Sequence, residues 1–180
     1  MGVITLYHGS CHEFEKIDVS AGKPYKDFGR GFYTSRSYEH AFGMAARNAQ
    51  IERRRLRRMK IDREPTPWVY AYELDMDLLS RLKVKRFDVA DSEWVRFIVL
   101  NRTNELPQHD FDAVIGPTAT DRTLATAQAY LAGDYGIIDS DEAIELFLRR
   151  IEPYNLPQQV FFGSDRAVEL LRFMGRSAIK

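Results

Sequence analysis

Two short stretches carry the residue types that could do chemistry. Leu6-Tyr7-His8-Gly9-Ser10 ends a β-rich run on an imidazole, a bare backbone position and a hydroxyl. Phe28-Gly29-Arg30-Gly31-Phe32-Tyr33-Thr34-Ser35 sets two glycines among aromatics and leads into a small-residue segment. Glycines so close to aromatic rings indicate a backbone that bends tightly or approaches a ligand. The imidazole of His8 can bond a hydroxyl through one nitrogen while the other fixes the tautomer. The Tyr33 ring offers an aromatic face worth roughly 0.5–1.5 kcal/mol beyond simple burial. Each stretch also has an ordinary reading: His8 as a satisfied turn histidine, Phe32 and Tyr33 as core aromatics, and Asp27 with Arg30 as a solvated loop pair.

The elements that must position these residues follow from periodicity and punctuation. Val3–Tyr7 reads as a strand entering a turn at His8-Gly9-Ser10. Residues 11–26, with Gly22 and Pro24, read as a long loop. Ser35 or Ser37 caps a helix carrying Ala41, Met44, Ala45 and Ala49 at helical spacing, which runs into Arg53-Arg54-Arg55-Leu56-Arg57-Arg58-Met59-Lys60 and stops before Glu64-Pro65-Thr66-Pro67. Strands follow at 68–74 and 82–87. A helix over 92–101 faces the core through Trp94, Val95, Ile98 and Val99. A strand over 112–117, helices over 124–131 and 142–151, a strand over 159–162 and a closing helix over 165–174 complete the chain. The sequence contains no internal repeat or linker, so the expectation is one α+β domain over residues 1–180, with helices flanking its sheet.

Composition narrows the functional classes. The 180 residues include 26 Lys+Arg and 26 Asp+Glu, a net charge of zero, which excludes a globally basic nucleic-acid binder and leaves room for a local patch. A single cysteine excludes an intramolecular disulfide and multi-cysteine metal sites. Cys11, His8 and His12 lack a fourth partner, so no metal is expected. The first residues, MGVITLYHGS, lack the pattern of a secretory signal, and no apolar run nears the roughly 20 residues of a membrane helix. The expected location is cytoplasmic, without membrane contact. Arg53, Arg54, Arg55, Arg57, Arg58 and Lys60 form either a solvated helix face or a contact for nucleic acid or an acidic protein.

The two opening stretches, in this order, resemble the NAD-binding core of ADP-ribosyltransferases of the poly(ADP-ribose) polymerase and diphtheria-toxin type. The chain as a whole resembles the bacterial domain of unknown function 3990 family, which stands near that superfamily. It does so through Tyr7-His8-Gly9-Ser10, Asp27 to Thr34, Trp94-x-x-Phe97-Ile98-x-x-Asn101-Arg102, Asp112-x-Val114-Ile115-Gly116-Pro117 with Asp121, and Gln159-Val160-Phe161. The resemblance implies a split mixed-sheet core, NAD as substrate, and transfer of ADP-ribose to a macromolecular acceptor, in the setting of a bacterial toxin with an antitoxin partner.

It further implies that His8 and Tyr33 match the first two members of a His-Tyr-Glu triad. His8, Gly9, Ser10, Arg30, Gly31, Tyr33 and Met44 would then contact NAD. Cleavage at the nicotinamide–ribose bond passes through an oxocarbenium-like species, so the site must hold nicotinamide flat and stabilise positive charge. Gly9 would offer its backbone to the carboxamide, His8 a nitrogen to the ribose, and Tyr33 a ring face to nicotinamide. Two departures stand out. Met44, with Phe42 nearby, occupies the place of a second aromatic, and Gln159 occupies that of the catalytic glutamate. Glutamine can accept from a ribose hydroxyl but carries no charge, so transfer would be slow or would use another acid, with Asp121 and Asp112 the candidates. The alternative is a catalytically inactive module of the same fold that binds a nucleotide or nucleic acid.

Overall fold

The computed structural model describes residues 2–119, 121–151 and 156–179, with the side chains at 121, 122 and 124 outside that description. Seven strands form one mixed sheet: β1 (Val3–Ser10), β2 (Phe32–Ser35), β3 (Trp68–Asp75), β4 (Val84–Arg86), β5 (Ala113–Pro117), β6 (Gln158–Phe162) and β7 (Leu171–Ala178), in the order β4-β5-β6-β2-β1-β3-β7. Only the β4–β5 pair is parallel. The helices are α1 (Tyr38–Arg58), α2 (Ser92–Thr103), α3 (Asp121–Leu131), α4 (Asp141–Ile151) and the single turn α5 (Asp165–Val168). The mixed α+β class is as expected. The sheet is continuous where a split core was anticipated, although its join is narrow at β1–β2, where the register runs through the single pair Tyr7–Ser35.

Alternation sorts the strand residues onto two faces. On the first, Leu6, Phe32, Tyr70, Tyr72, Leu74, Val160 and Phe162 build a core with Leu79 and Ala167. On the second, α1 packs Ala41 and Ala45 on Val69, while α2, α3 and α4 cover β5 and β6 through Trp94, Val95, Ile98, Ala127, Phe147 and Phe161. The core positions expected for α2 are all buried.

Caps fix the helix ends. The Ser37 hydroxyl accepts from the His40 N–H at 3.0 Å, so Ser37 rather than Ser35 starts α1. The helix ends earlier than the proline pair suggested. The Ile61 N–H reaches back to the Leu56 carbonyl at 3.0 Å, with Lys60 at φ 56°. That left-handed closing position favours glycine, and a lysine there costs about 1 kcal/mol.

Three further expectations are corrected. His8, Gly9 and Ser10 continue β1 instead of turning, because Gly9 and Ser10 pair with Val69 and Trp68 of β3. The closing helix is only one turn long. Residues 171–178 form β7, which supplies hydrogen-bond partners to what would otherwise be the bare edge of β3. The segment 82–87 shortens to the three residues of β4.

The α1–β1 contact is close enough to demand glycine. A Cβ on Gly9 would lie 2.0 Å from the Ala41 carbonyl oxygen and 2.7 Å from the Ala45 nitrogen. Gly9→Ala therefore has to push α1 off the sheet. The expected loss is about 3 kcal/mol, the upper range for overpacking, read as a lower midpoint in urea; a midpoint equal to the wild type would contradict this packing.

Candidate functional site

The loop that ends at β2 is anchored by one carboxylate. Asp27 is buried, and its Oδ1 accepts from Arg102 Nε at 2.6 Å, with a second guanidinium nitrogen also in contact. Its Oδ2 accepts from the Ala119 N–H and from Gln159 Nε2, both at 2.8 Å. Arg102 comes from α2, Ala119 follows β5, and Gln159 lies on β6, so one side chain ties together segments far apart in sequence. The expected solvated pair of Asp27 with Arg30 is not formed. Arg30 faces Glu105 at 3.6 Å, and its Nε is buried without a partner.

The next residues form a tight turn in which the Gly29 N–H donates to the Lys26 carbonyl at 3.0 Å, with Gly29 at φ 83°. Tyr33 closes it: its hydroxyl donates to the Gly29 carbonyl at 2.6 Å and accepts from the Phe28 N–H at 3.1 Å. Burial, and then the Asp27 carboxylate, hold the phenol well above its usual pKa, so it remains a neutral donor. Its ring packs against Phe161 and Phe28 on the second face of the sheet.

His8 sits at the seam between β1 and β2. Its Nδ1 lies 2.7 Å from the Tyr33 carbonyl oxygen. A carbonyl only accepts, so Nδ1 carries the proton and Nε2 keeps its lone pair. Desolvation lowers the imidazole pKa to about 4 against the opposing pull of that hydrogen bond, leaving the ring neutral at pH 7. The ring stacks on Phe32 at 4.3 Å and meets Phe14 and Tyr70 edge-on. These are first-face residues. His8 and Tyr33 are thus joined through the Tyr33 backbone, while their rings occupy opposite faces. The expected common groove between the two side chains is absent from the geometry, because neighbouring strand positions alternate and His8 shares the side of Phe32.

The other expected contacts fall as follows. The face of Gly9 is filled by α1, and its carbonyl accepts from Asn48 Nδ2 at 3.5 Å. The Ser10 hydroxyl is engaged with the His12 backbone, donating to its carbonyl at 2.9 Å and accepting from its N–H at 3.0 Å. Gly31 passes directly against the Phe161 ring. Met44 is half-buried on α1 beside Ala45, and Phe42 is largely exposed. The Asp121 side chain lies outside the described residues. Asp112 sits at the end of β5 away from Gln159, bonded to Arg166 at 2.7 Å from two nitrogens and to the Ser164 hydroxyl at 2.7 Å. Desolvation of that carboxyl is outweighed by these partners, and its pKa is lowered. It is a structural anion, not a substitute acid for position 159.

Three participants carried no sequence signal of their own role. Asn48 reaches Gly9. His109 donates from Nε2 to the Phe28 carbonyl at 2.9 Å and accepts the Phe111 N–H on Nδ1 at 3.1 Å. Arg102 neutralises Asp27, a pairing hidden by a sequence separation of 75. Around the same loop, desolvation lowers the pKa of Lys26, with Asp27 opposing and Arg102, Lys23 and Arg47 adding like charge. A groove of about 570 Å³, within the usual size of small-molecule sites, opens on the first face, lined in part by Phe14, Tyr70, Tyr72, Phe173 and Arg176. Phe14 and Tyr70 are two of the rings that touch His8, although His8 does not line the groove.

The family model described as a protein of unknown function, DUF3990, matches residues 4–173. The chain belongs to the DUF3990 family. No curated protein and no solved structure matches it. In this DUF3990 protein the described residues contain no group of three or more His, Cys, Asp or Glu side chains placed to hold a metal ion, and no helix among them is long and apolar enough to cross a membrane.

Gln159 is held in a defined structural role, because its amide donates both to Asp27 and to the Pro117 carbonyl, the latter at 3.3 Å. Gln159→Glu would replace a donor by a second carboxylate. The variant should lose about 3 kcal/mol at pH 7. The new carboxyl would have a folded-state pKa above its unfolded value, so the penalty is full above the folded pKa and fades as pH falls toward the unfolded one. Urea unfolding of both proteins from pH 7 to pH 4 checks this; an equal gap at both ends, or no gap, would contradict the Asp27–Gln159 bond.

Proposed function

We propose that this protein binds NAD at the seam of β1 and β2 and is an ADP-ribosyltransferase-like protein acting on a macromolecular acceptor, in the toxin setting that the resemblance implies. The observation that supports it most is the His8 clamp. A neutral imidazole, fixed through Nδ1, keeps an acceptor nitrogen where the strands part, as recognition of a ribose hydroxyl requires. Lys23 and Lys26 on the adjoining loop supply charge of the sign a pyrophosphate needs. In the reaction the nicotinamide–ribose bond breaks, nicotinamide leaves with the bonding electrons, and an acceptor nucleophile bonds to the ribose carbon and releases a proton.

A second reading, binding without turnover, is favoured by Gln159. This residue is neutral, and the Asp27 charge beside it is matched by Arg102. A developing oxocarbenium ion would therefore meet little net negative charge from this pair. The crossed geometry of His8 and Tyr33 weighs in the same direction, since the Tyr33 ring does not share the His8 side of the sheet.

Calorimetric titration with NAD and an assay of nicotinamide release separate the two. The wild type should bind NAD. His8→Gln, which keeps a donor for the Tyr33 carbonyl and displaces the acceptor, should bind at least about tenfold more weakly, or about 1.4 kcal/mol, with its circular dichroism unchanged. Nicotinamide release supports transfer, and binding without release supports the silent module. A folded wild type that does not bind NAD overturns both.

A further inference from the structure

The chain is neutral as a whole, yet its cations are not evenly spread. Residues 53–60 hold six basic side chains and no acidic one. Two of the six are neutralised locally: Arg53 pairs with Glu64, and Arg55 with Glu52 at 3.4 Å, where Arg63 also approaches at 3.7 Å. Arg54, Arg57, Arg58 and Lys60 are exposed and, among the described residues, have no ion pair. The spacing of Arg54, Arg57 and Arg58 places them on adjoining positions of the helix surface, while Leu56 and Ala49 take the sheet side.

The arrangement exceeds what a helix end calls for. One or two cations in the last turn complement the carbonyl dipole, and here Arg55, Arg57 and Arg58 all lie in that turn. Lys60 adds a further charge at the left-handed closing position that glycine would fill with less strain. The favoured partner is a polyanion of regularly spaced phosphates. Guanidinium forks match phosphate oxygens bidentately. Protein interfaces need an apolar centre with charges kept to the rim, whereas within this run Leu56 is buried and only Met59 is an exposed apolar side chain.

We infer that the C-terminal half of α1, through Arg54, Arg57 and Arg58, together with Lys60 just beyond its end, binds the phosphate backbone of a nucleic acid without base specificity. This surface is separate from the His8 seam and does not depend on the NAD reading.

The test is fluorescence anisotropy of the full chain with a labelled short DNA duplex, the matching single strand, and labelled polyglutamate, across roughly 50–200 mM salt. Four phosphate contacts predict a slope of log K against log salt of about −3 to −4 on duplex. Replacing all four residues by glutamine, which keeps helix propensity close to that of arginine, should flatten the slope and lower affinity at least about 100-fold at low salt. The double variant Arg57→Gln with Arg58→Gln should retain about half the slope. Arg172→Gln, on β7, should change nothing, and circular dichroism confirms that each variant is folded. No binding by the wild type, a slope unaltered in the fourfold variant, or binding to polyglutamate alone would overturn the proposal, the last pointing to an acidic protein.

Discussion

A buried carboxylate is the constraint on which the rest of this site hangs. Asp27 has few ways to be stable inside a protein, because an unpaired charge there costs several kcal/mol. It is satisfied by a guanidinium from α2, a backbone N–H after β5 and an amide from β6. Four segments that share no local sequence therefore have to meet at one point. Once they do, the path of the chain from Asp27 into β2 has little freedom left.

From that anchor, order passes along the chain by short steps. The Lys26–Gly29 turn presents the Phe28 N–H and the Gly29 carbonyl to a single hydroxyl, that of Tyr33. The Phe28 carbonyl is held from the other side by His109. With Tyr33 fixed, its own carbonyl points into the seam, and His8 takes it. A histidine whose Nδ1 is engaged this way and whose charge is suppressed by burial has one remaining polar function, acceptance at Nε2. The same network explains the glutamine on β6. Asp27 needs a donor from that strand, and glutamate could not provide one in its ionised form.

Much of this was legible locally, and the failures share a cause. The α2 core stripe, a serine cap at position 35 or 37 and strands β3, β5 and β6 follow from period and capping, which are short-range properties. His8-Gly9-Ser10 looked like a turn because glycine and serine favour turns, yet β3 pairs with all three residues and α1 requires Gly9 to lack a side chain. Residues 171–178 looked helical, but an open edge on β3 recruited them as a strand. The grouping of His8, Tyr33 and Gln159 was available in the sequence only as what the family resemblance implies. Their crossed faces were not, because the alternation that separates the rings matters only once the β1–β2 register is known. Likewise the Asp27–Arg102 pair joins two residues that each look like ordinary surface charges.

The state of the His8 ring bears most directly on this chain of dependence. Nitrogen-15 NMR of the protein labelled at histidine reports which ring nitrogen holds the proton. The expected spectrum at pH 7 has His8 neutral, protonated at Nδ1 and bare at Nε2, with the Nε2 resonance shifting on addition of NAD and the Nδ1 resonance staying in place. A His8 ring protonated at Nε2, or charged at neutral pH, would contradict the clamp and with it the acceptor on which the proposed NAD recognition rests.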